Sequence, residues 1–139
     1  MSSSPEENKA LFRRVIDDVF NQHNLDAVDL YYPVDYIQHN PHVPPGLTGF
    51  KEFFAMHFAA FPDLHATIED LVAEGDKIAA RLTWTGTHKG EFEGIPPTGK
   101  QIKFTTMEFF RVASGKLAEH WDEVDLLGML QQIGAIPAR

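Results

Sequence analysis

Two runs of alternating apolar and polar residues, 102–112 and 116–124, flank Ala113-Ser114-Gly115 and restrict the end of the chain more than any other stretch. Period-two alternation reads as a strand, and a short turn with a glycine free to take positive φ folds two such strands into an antiparallel hairpin. Register then decides which side chains share a face, because a slip of one residue moves all of them to the other side. A three-residue loop closing on a left-handed Gly115 pairs Val112 with Lys116, sets Glu108 opposite His120 and sets Thr106 opposite Asp122. Phe104 and Phe110 fall on the same face. Ionisable heads among aromatic rings are costly unless they are paired, wetted or used in chemistry, so this face is the candidate site.

The rest of the chain supplies helices to cover that face. Ser4-Pro5-Glu6-Glu7 has the composition of a helix start, and Leu11, Val15, Ile16, Val19 and Phe20 follow at helical spacing, with Arg13, Arg14, Asp17 and Asp18 on the wet side. Asn24 and Asp26 read as caps of a short helix over 26–32, ended by Pro33. Residues 36–46 are extended and then turn-rich, since each proline pushes its predecessor out of the helical region. Thr48 is the expected cap of a helix over 49–61 that carries Phe50, Phe53, Phe54, His57, Phe58 and Phe61. From residue 66 the period becomes two: strands over 66–73 and 78–88, joined by a turn at 74–77, place Ile78, Ala80, Leu82, Trp84 and His88 on one buried face. Gly90, Gly94, Pro96, Pro97 and Gly99 make 89–100 a loop. A last helix over 126–133 stops at Gly134.

Helices followed by an antiparallel sheet is an α+β pattern. A strongly curved sheet wrapped around the N-terminal helices leaves a cone whose open mouth is the place for the polar residues. The whole chain, 1–139, reads as one domain, with residues 1–5 expected to be disordered.

Charge and composition narrow the partners. A net charge of −8 without a basic stripe argues against nucleic acid and anionic membrane surfaces. The absence of cysteine removes disulfides, thiol nucleophiles and thiolate metal sites. No leader-like or membrane-spanning run is present, so a cytoplasmic address is expected. No phosphate-binding glycine motif occurs, and the seven histidines form no metal-binding motif, so neither cofactor nor metal is expected.

Several stretches together resemble the SnoaL-like polyketide cyclases of the NTF2-like superfamily, a group of cone-shaped α+β barrels. They are Tyr36-Ile37-Gln38-His39-Asn40-Pro41, Thr85-Gly86-Thr87-His88, Pro97-Thr98-Gly99-Lys100, and Gly115-Lys116-Leu117-Ala118-Glu119-His120-Trp121-Asp122 leading to Leu127-Gly128-Met129-Leu130. The resemblance implies intramolecular aldol ring closure by acid–base chemistry, without metal or cofactor, on a small, mostly apolar carbonyl compound. It puts the acid–base aspartate at Asp122. The family's usual companion histidine falls on Glu108, a departure that turns attention to His120 and His39 as donors to a substrate oxygen. His88, at a strand end, is a further polar candidate. Trp84, Phe104, Thr106, Phe54, Phe58, Asn40 and Tyr36 are the expected substrate-binding wall, and Trp121 is expected on the opposite face, against helices or a partner chain. The resemblance also implies a homodimer through the convex sheet face, which bears Arg81, Thr83, Thr85, Met107 and Phe109. Because the scaffold hosts many functions, a non-catalytic ligand-binding module and a hydrolase or dehydratase are the alternatives.

Overall fold

The strands form where the period-two pattern marks them. The computed structural model describes residues 3–137, and in it β2 (His65–Glu74), β3 (Lys77–Thr87), β4 (Gln101–Ala113) and β5 (Lys116–Val124) make an antiparallel meander. A two-residue strand, β1 (Ile37–Gln38), adds in parallel to β5, giving the order β1-β5-β4-β3-β2. The sheet is curved but does not close, so β1 and β2 remain edges.

On the inner face of β3, Ile78, Ala80, Leu82 and Trp84 are buried, as alternation requires. α1 (Pro5–Val15) packs against this face through Leu11, Phe12 and Val15, and α3 (Gly46–Ala60) joins the same core through Phe50 and Ala60. A short α2 (Val28–Tyr31) and a C-terminal α4 (Leu126–Gln132) complete the helices. No helix among the described residues is long and apolar enough to cross a membrane.

Local chemistry explains where the helices begin. Ser4 Oγ accepts from the Glu7 backbone N–H, and the Glu7 carboxylate accepts from that of Ser4, which is a complete capping box. Ser4 is the cap and Pro5 the first residue of α1, whereas Met1 and Ser2, also in the stretch expected to be disordered, lie outside the described residues. After Val15 the helix widens into a π-helical turn, Ile16–Asn21, that keeps Val19 and Phe20 in the core. The Asp125 carboxylate caps α4 by accepting from the Gly128 N–H at 3.0 Å.

Two cap assignments need correction. α3 starts at Gly46 behind an extended Pro45 with no side-chain cap, not at Thr48, and Gly49 in its first turn lies so close to Pro44 that a Cβ there would come within 2.7 Å of it. The turn after Asn24 is 3-10, over Leu25–Ala27, and its cap is a backbone bond from the Ala27 N–H to the Asn24 carbonyl rather than a side chain.

The hairpin register also differs from expectation. Its turn has two residues, Ser114 and Gly115, both at positive φ (51° and 73°), so Ala113 pairs with Lys116 and Val112 with Leu117. Register then slips by one residue between Val112 and Arg111, leaving Ala118 as a bulge. Beyond it Phe110 pairs with His120, Glu108 with Asp122 and Thr106 with Val124. Each offset is one residue in the same sense, so parity is preserved: the partners change, but Glu108, His120 and Asp122 still share the inner face.

Candidate active site

Three ionisable side chains meet on that face, each with only about a tenth of its surface exposed: His120 at 9%, Glu108 at 10% and Asp122 at 9%. His120 Nε2 lies 2.7 Å from Glu108 Oε1 and 4.0 Å from Asp122 Oδ2. The imidazole stacks on the Phe110 ring at a centroid distance of 4.3 Å. β4 and β5 hold all three, so the spacing is set by the ladder rather than by a mobile loop.

The segment around β1 closes the cluster from its other side. Asn40 Nδ2 donates to both oxygens of Asp122, at 2.9 and 3.2 Å, and Gln38 Oε1 lies 2.8 Å from His120 Nδ1. Gln38 Nε2 donates to the Tyr36 hydroxyl at 3.0 Å. Extended backbone alternates, so Tyr36, Gln38 and Asn40 face inward while Ile37 and His39 face out. Gln38 was missed in the sequence reading, although this alternation was the signal that pairs it with its two neighbours.

Burial raises the Asp122 pKa, and the nearby Glu108 carboxylate adds to the effect; His120 and the Asn40 amide oppose it. Burial likewise pushes the Tyr36 hydroxyl far above the usual phenol range, with Tyr32, Glu108 and Asp122 contributing, and does the same for Tyr32 with help from Glu108. The two tyrosine rings meet edge to face at 4.9 Å.

Other expected site residues divide between this region and places apart from it. Trp84 donates its indole N–H to Thr106 Oγ1 at 3.0 Å, stacks with Phe104 and meets Phe20, which in turn packs on Phe54. These make an apolar wall adjoining the cluster. Phe58 instead stacks on His23 at 4.1 Å.

His39 is not brought to the cluster. It faces out, where Nε2 meets Glu119 Oε2 at 2.7 Å and the ring stacks on Trp121. Trp121 lies opposite Asp122 as expected, but it packs on His39 and the Phe109 edge rather than on a helix. Glu119 also takes Arg111, and these two partners hold its pKa below the ordinary carboxylate value.

His88 is fully buried at the far end of β3. Its Nδ1 accepts from the Thr98 backbone N–H, and its Nε2 has no partner among the described residues. Just past the end of β3, it lies eight positions along the chain from Ala80, the residue paired with Glu108, and so outside the cluster.

Clefts of about 340 Å³, beside Pro5 and Ser114, and about 270 Å³, between Arg13 and His65, open elsewhere on the surface. The triad lines neither of these two clefts. Glu108, His120 and Asp122 each offer a ligand atom within 4.8 Å of the others, but Glu108 and the imidazole already occupy one another. What the arrangement can do is move protons: a carboxylate of raised pKa sits beside a second carboxylate hydrogen-bonded to an imidazole.

A family model described as SnoaL-like polyketide cyclase matches residues 10–133. The chain is 30% identical over 122 residues to the nogalonic acid methyl ester cyclase of Streptomyces nogalater, covering 83% of this chain and 89% of that protein. It is 27% identical over 133 residues to the aklanonic acid methyl ester cyclase DnrD of Streptomyces peucetius, covering 89% and 88%. Among solved structures, TsrD of Streptomyces laurentii superposes with a TM-score of 0.88 at 31% identity, over 97% of this chain and all of that one.

Proposed function

The chain belongs to the SnoaL-like polyketide cyclase family, and on that premise we propose that it closes a carbocyclic ring by a cofactor-independent intramolecular aldol reaction, with Asp122 as general base and then general acid. The substrate class proposed is the methyl ester of a mostly apolar polyketide acid, in keeping with the names of the two curated relatives. The observation that carries the reading is Asp122 itself: a carboxylate covered to nine-tenths, raised in pKa by burial and by Glu108, yet steadied by the Asn40 amide.

Asp122 takes a proton from the carbon α to a carbonyl, leaving an enolate. The enolate carbon attacks a ketone carbonyl of the same molecule, one C–C bond forms and the carbonyl π electrons move to oxygen. That alkoxide takes the proton back from Asp122, so no atom is gained or lost and the enzyme ends as it began. A base of raised pKa is better matched to a weakly acidic C–H, and low water access strengthens every charge interaction in the step. The Glu108–His120 pair supplies the hydrogen-bond donor beside the developing oxyanion, in the role the family resemblance gives to a lone histidine. Trp84, Phe104 and Phe54 offer apolar surface to the carbon skeleton.

Deuterium exchange tests the first step by itself. In heavy water the protein should label the α carbon of a polyketide methyl ester, and Asp122→Asn should not; equal labelling by both would remove Asp122 from the reaction.

The chain is further proposed to act in the cytoplasm as a homodimer. Met107 and Phe109, 55% and 41% exposed on the outer sheet face, form the apolar part of the surface offered to a second copy.

A further inference from the structure

β1 is two residues long, yet the side chain of Gln38 within it makes three polar contacts. Its Oε1 accepts from the Asn40 backbone N–H at 3.0 Å and lies 2.8 Å from His120 Nδ1, while its Nε2 donates to the Tyr36 hydroxyl at 3.0 Å. A backbone N–H can only donate, which fixes the amide: turned over, it would set an NH2 group against that N–H. His120 Nδ1 therefore faces an acceptor.

We propose that Gln38 is the positioning residue that fixes the tautomer of His120 with hydrogen on Nδ1, and so keeps a proton on the His120–Glu108 contact next to Asp122. The proposal rests on the acid–base reading above and adds to it a residue to which that reading gives no task.

With Nδ1 protonated, the 2.7 Å contact between Nε2 and Glu108 Oε1 is satisfied in two ways. Either an imidazolium faces a carboxylate, or a neutral imidazole accepts from a carboxylic acid. Each holds one proton more than the third arrangement, a neutral ring with hydrogen on Nε2 only, facing a carboxylate. Gln38 disfavours that third form because it would set the bare Nδ1 lone pair against Oε1. Groups facing the pair from the surrounding elements are the Asp122 carboxylate on β5, the Tyr32 and Tyr36 hydroxyls and the apolar Phe110 ring. None of these replaces the acceptor at Nδ1. Gln38 thus lets a Glu–His pair deliver what a lone histidine would deliver: a donor hydrogen beside the base.

The test is the ¹⁵N imidazole spectrum of the uniformly labelled full chain, with His120 assigned by loss of its signals in His120→Asn. At neutral pH Nδ1 of His120 should carry hydrogen and Nε2 should face Glu108. Gln38→Leu should let the neutral ring take hydrogen on Nε2 and lower kcat on the order of 10²-fold with little change in KM, whereas Gln38→Glu, which keeps an acceptor, should retain the Nδ1–H form. A bare Nδ1 in the unaltered protein overturns the proposal, and that spectrum decides the matter even if Gln38→Leu does not fold. An identical tautomer in folded Gln38→Leu overturns it too. If the tautomer behaves as stated but no form of the protein closes a ring, the role of Gln38 stands and the ring-closure reading is the one that fails.

Discussion

One side-chain amide holds both oxygens of the Asp122 carboxylate: Asn40 Nδ2 lies 2.9 Å from Oδ1 and 3.2 Å from Oδ2. Asn40 is itself anchored, because its Oδ1 accepts from the His42 backbone N–H at 2.8 Å, so the amide cannot turn away. A donor to the ionised form favours ionisation, which is why this contact opposes the upward push of burial. Asn40→Leu should therefore leave Asp122 protonated to higher pH. The acid limb of kcat/KM should move upward, with about a tenfold loss at neutral pH, the scale of one hydrogen bond to a charged group. An unmoved limb in the pH–rate profile would contradict this.

The same shift bears on stability. Folded Asp122 holds its proton more tightly than an unfolded carboxyl of pKa 3.8, so the folded state binds more protons as pH rises above that value. Stability from this group is fully present below 3.8 and is lost as pH climbs through the raised folded pKa. Asp122→Asn removes the loss. Thermal melts at acidic and neutral pH should show the variant gaining on the unaltered protein as pH increases, against a constant offset if Asp122 has no raised pKa.

On the outer face, Phe109 is 41% exposed, meets Trp121 at 5.7 Å and belongs to the surface proposed for a second copy. Phe109→Arg should weaken self-association by at least about 30-fold, the ~2 kcal/mol of an interface anchor. Light scattering over a dilution series reads this directly, and an unaltered mass at every concentration would assign the face elsewhere.

Gly90 ties the 89–100 loop to the end of α3. The backbone N–H groups of Lys89 and Gly90 both reach the Ala60 carbonyl, and a Cβ on Gly90 would lie 2.4 Å from the Ala59 oxygen. Gly90→Ala should cost about 1–3 kcal/mol of stability, the usual range for overpacking, measured by urea denaturation. A change below about 0.5 kcal/mol, the range of an ordinary surface substitution, would mean the loop is not docked as described.

What could be read from the sequence follows from what is local. Alternation along 78–88 and 116–124 marks β3 and β5 and their buried faces because period two is a property of the strand itself. The inner face of the β4–β5 hairpin was legible for a less general reason. Ser114 takes positive φ, which Ser seldom does, and Ala118 bulges without any glycine to announce it, yet these two offsets leave side-chain parity intact. His39 was expected as a donor to a substrate oxygen because Glu108 stands where the family's companion histidine falls, whereas pairing of β1 with β5 turns it toward Glu119. The π turn at Ile16–Asn21 and the contact of Gln38 with His120 depend on tertiary neighbours; the alternation of 36, 38 and 40 puts Gln38 on the inner face but does not name its partner.

The most direct check on the account is the rate of ring closure by Asp122→Asn with a polyketide methyl ester, measured beside a circular dichroism spectrum of the same sample. Asn keeps the shape and the link to Asn40 but cannot accept a proton from carbon. The expected result is a native spectrum and a fall in kcat of about 10²- to 10⁴-fold, the contribution of a positioned acid–base group. Turnover within a few-fold of the unaltered enzyme would contradict it.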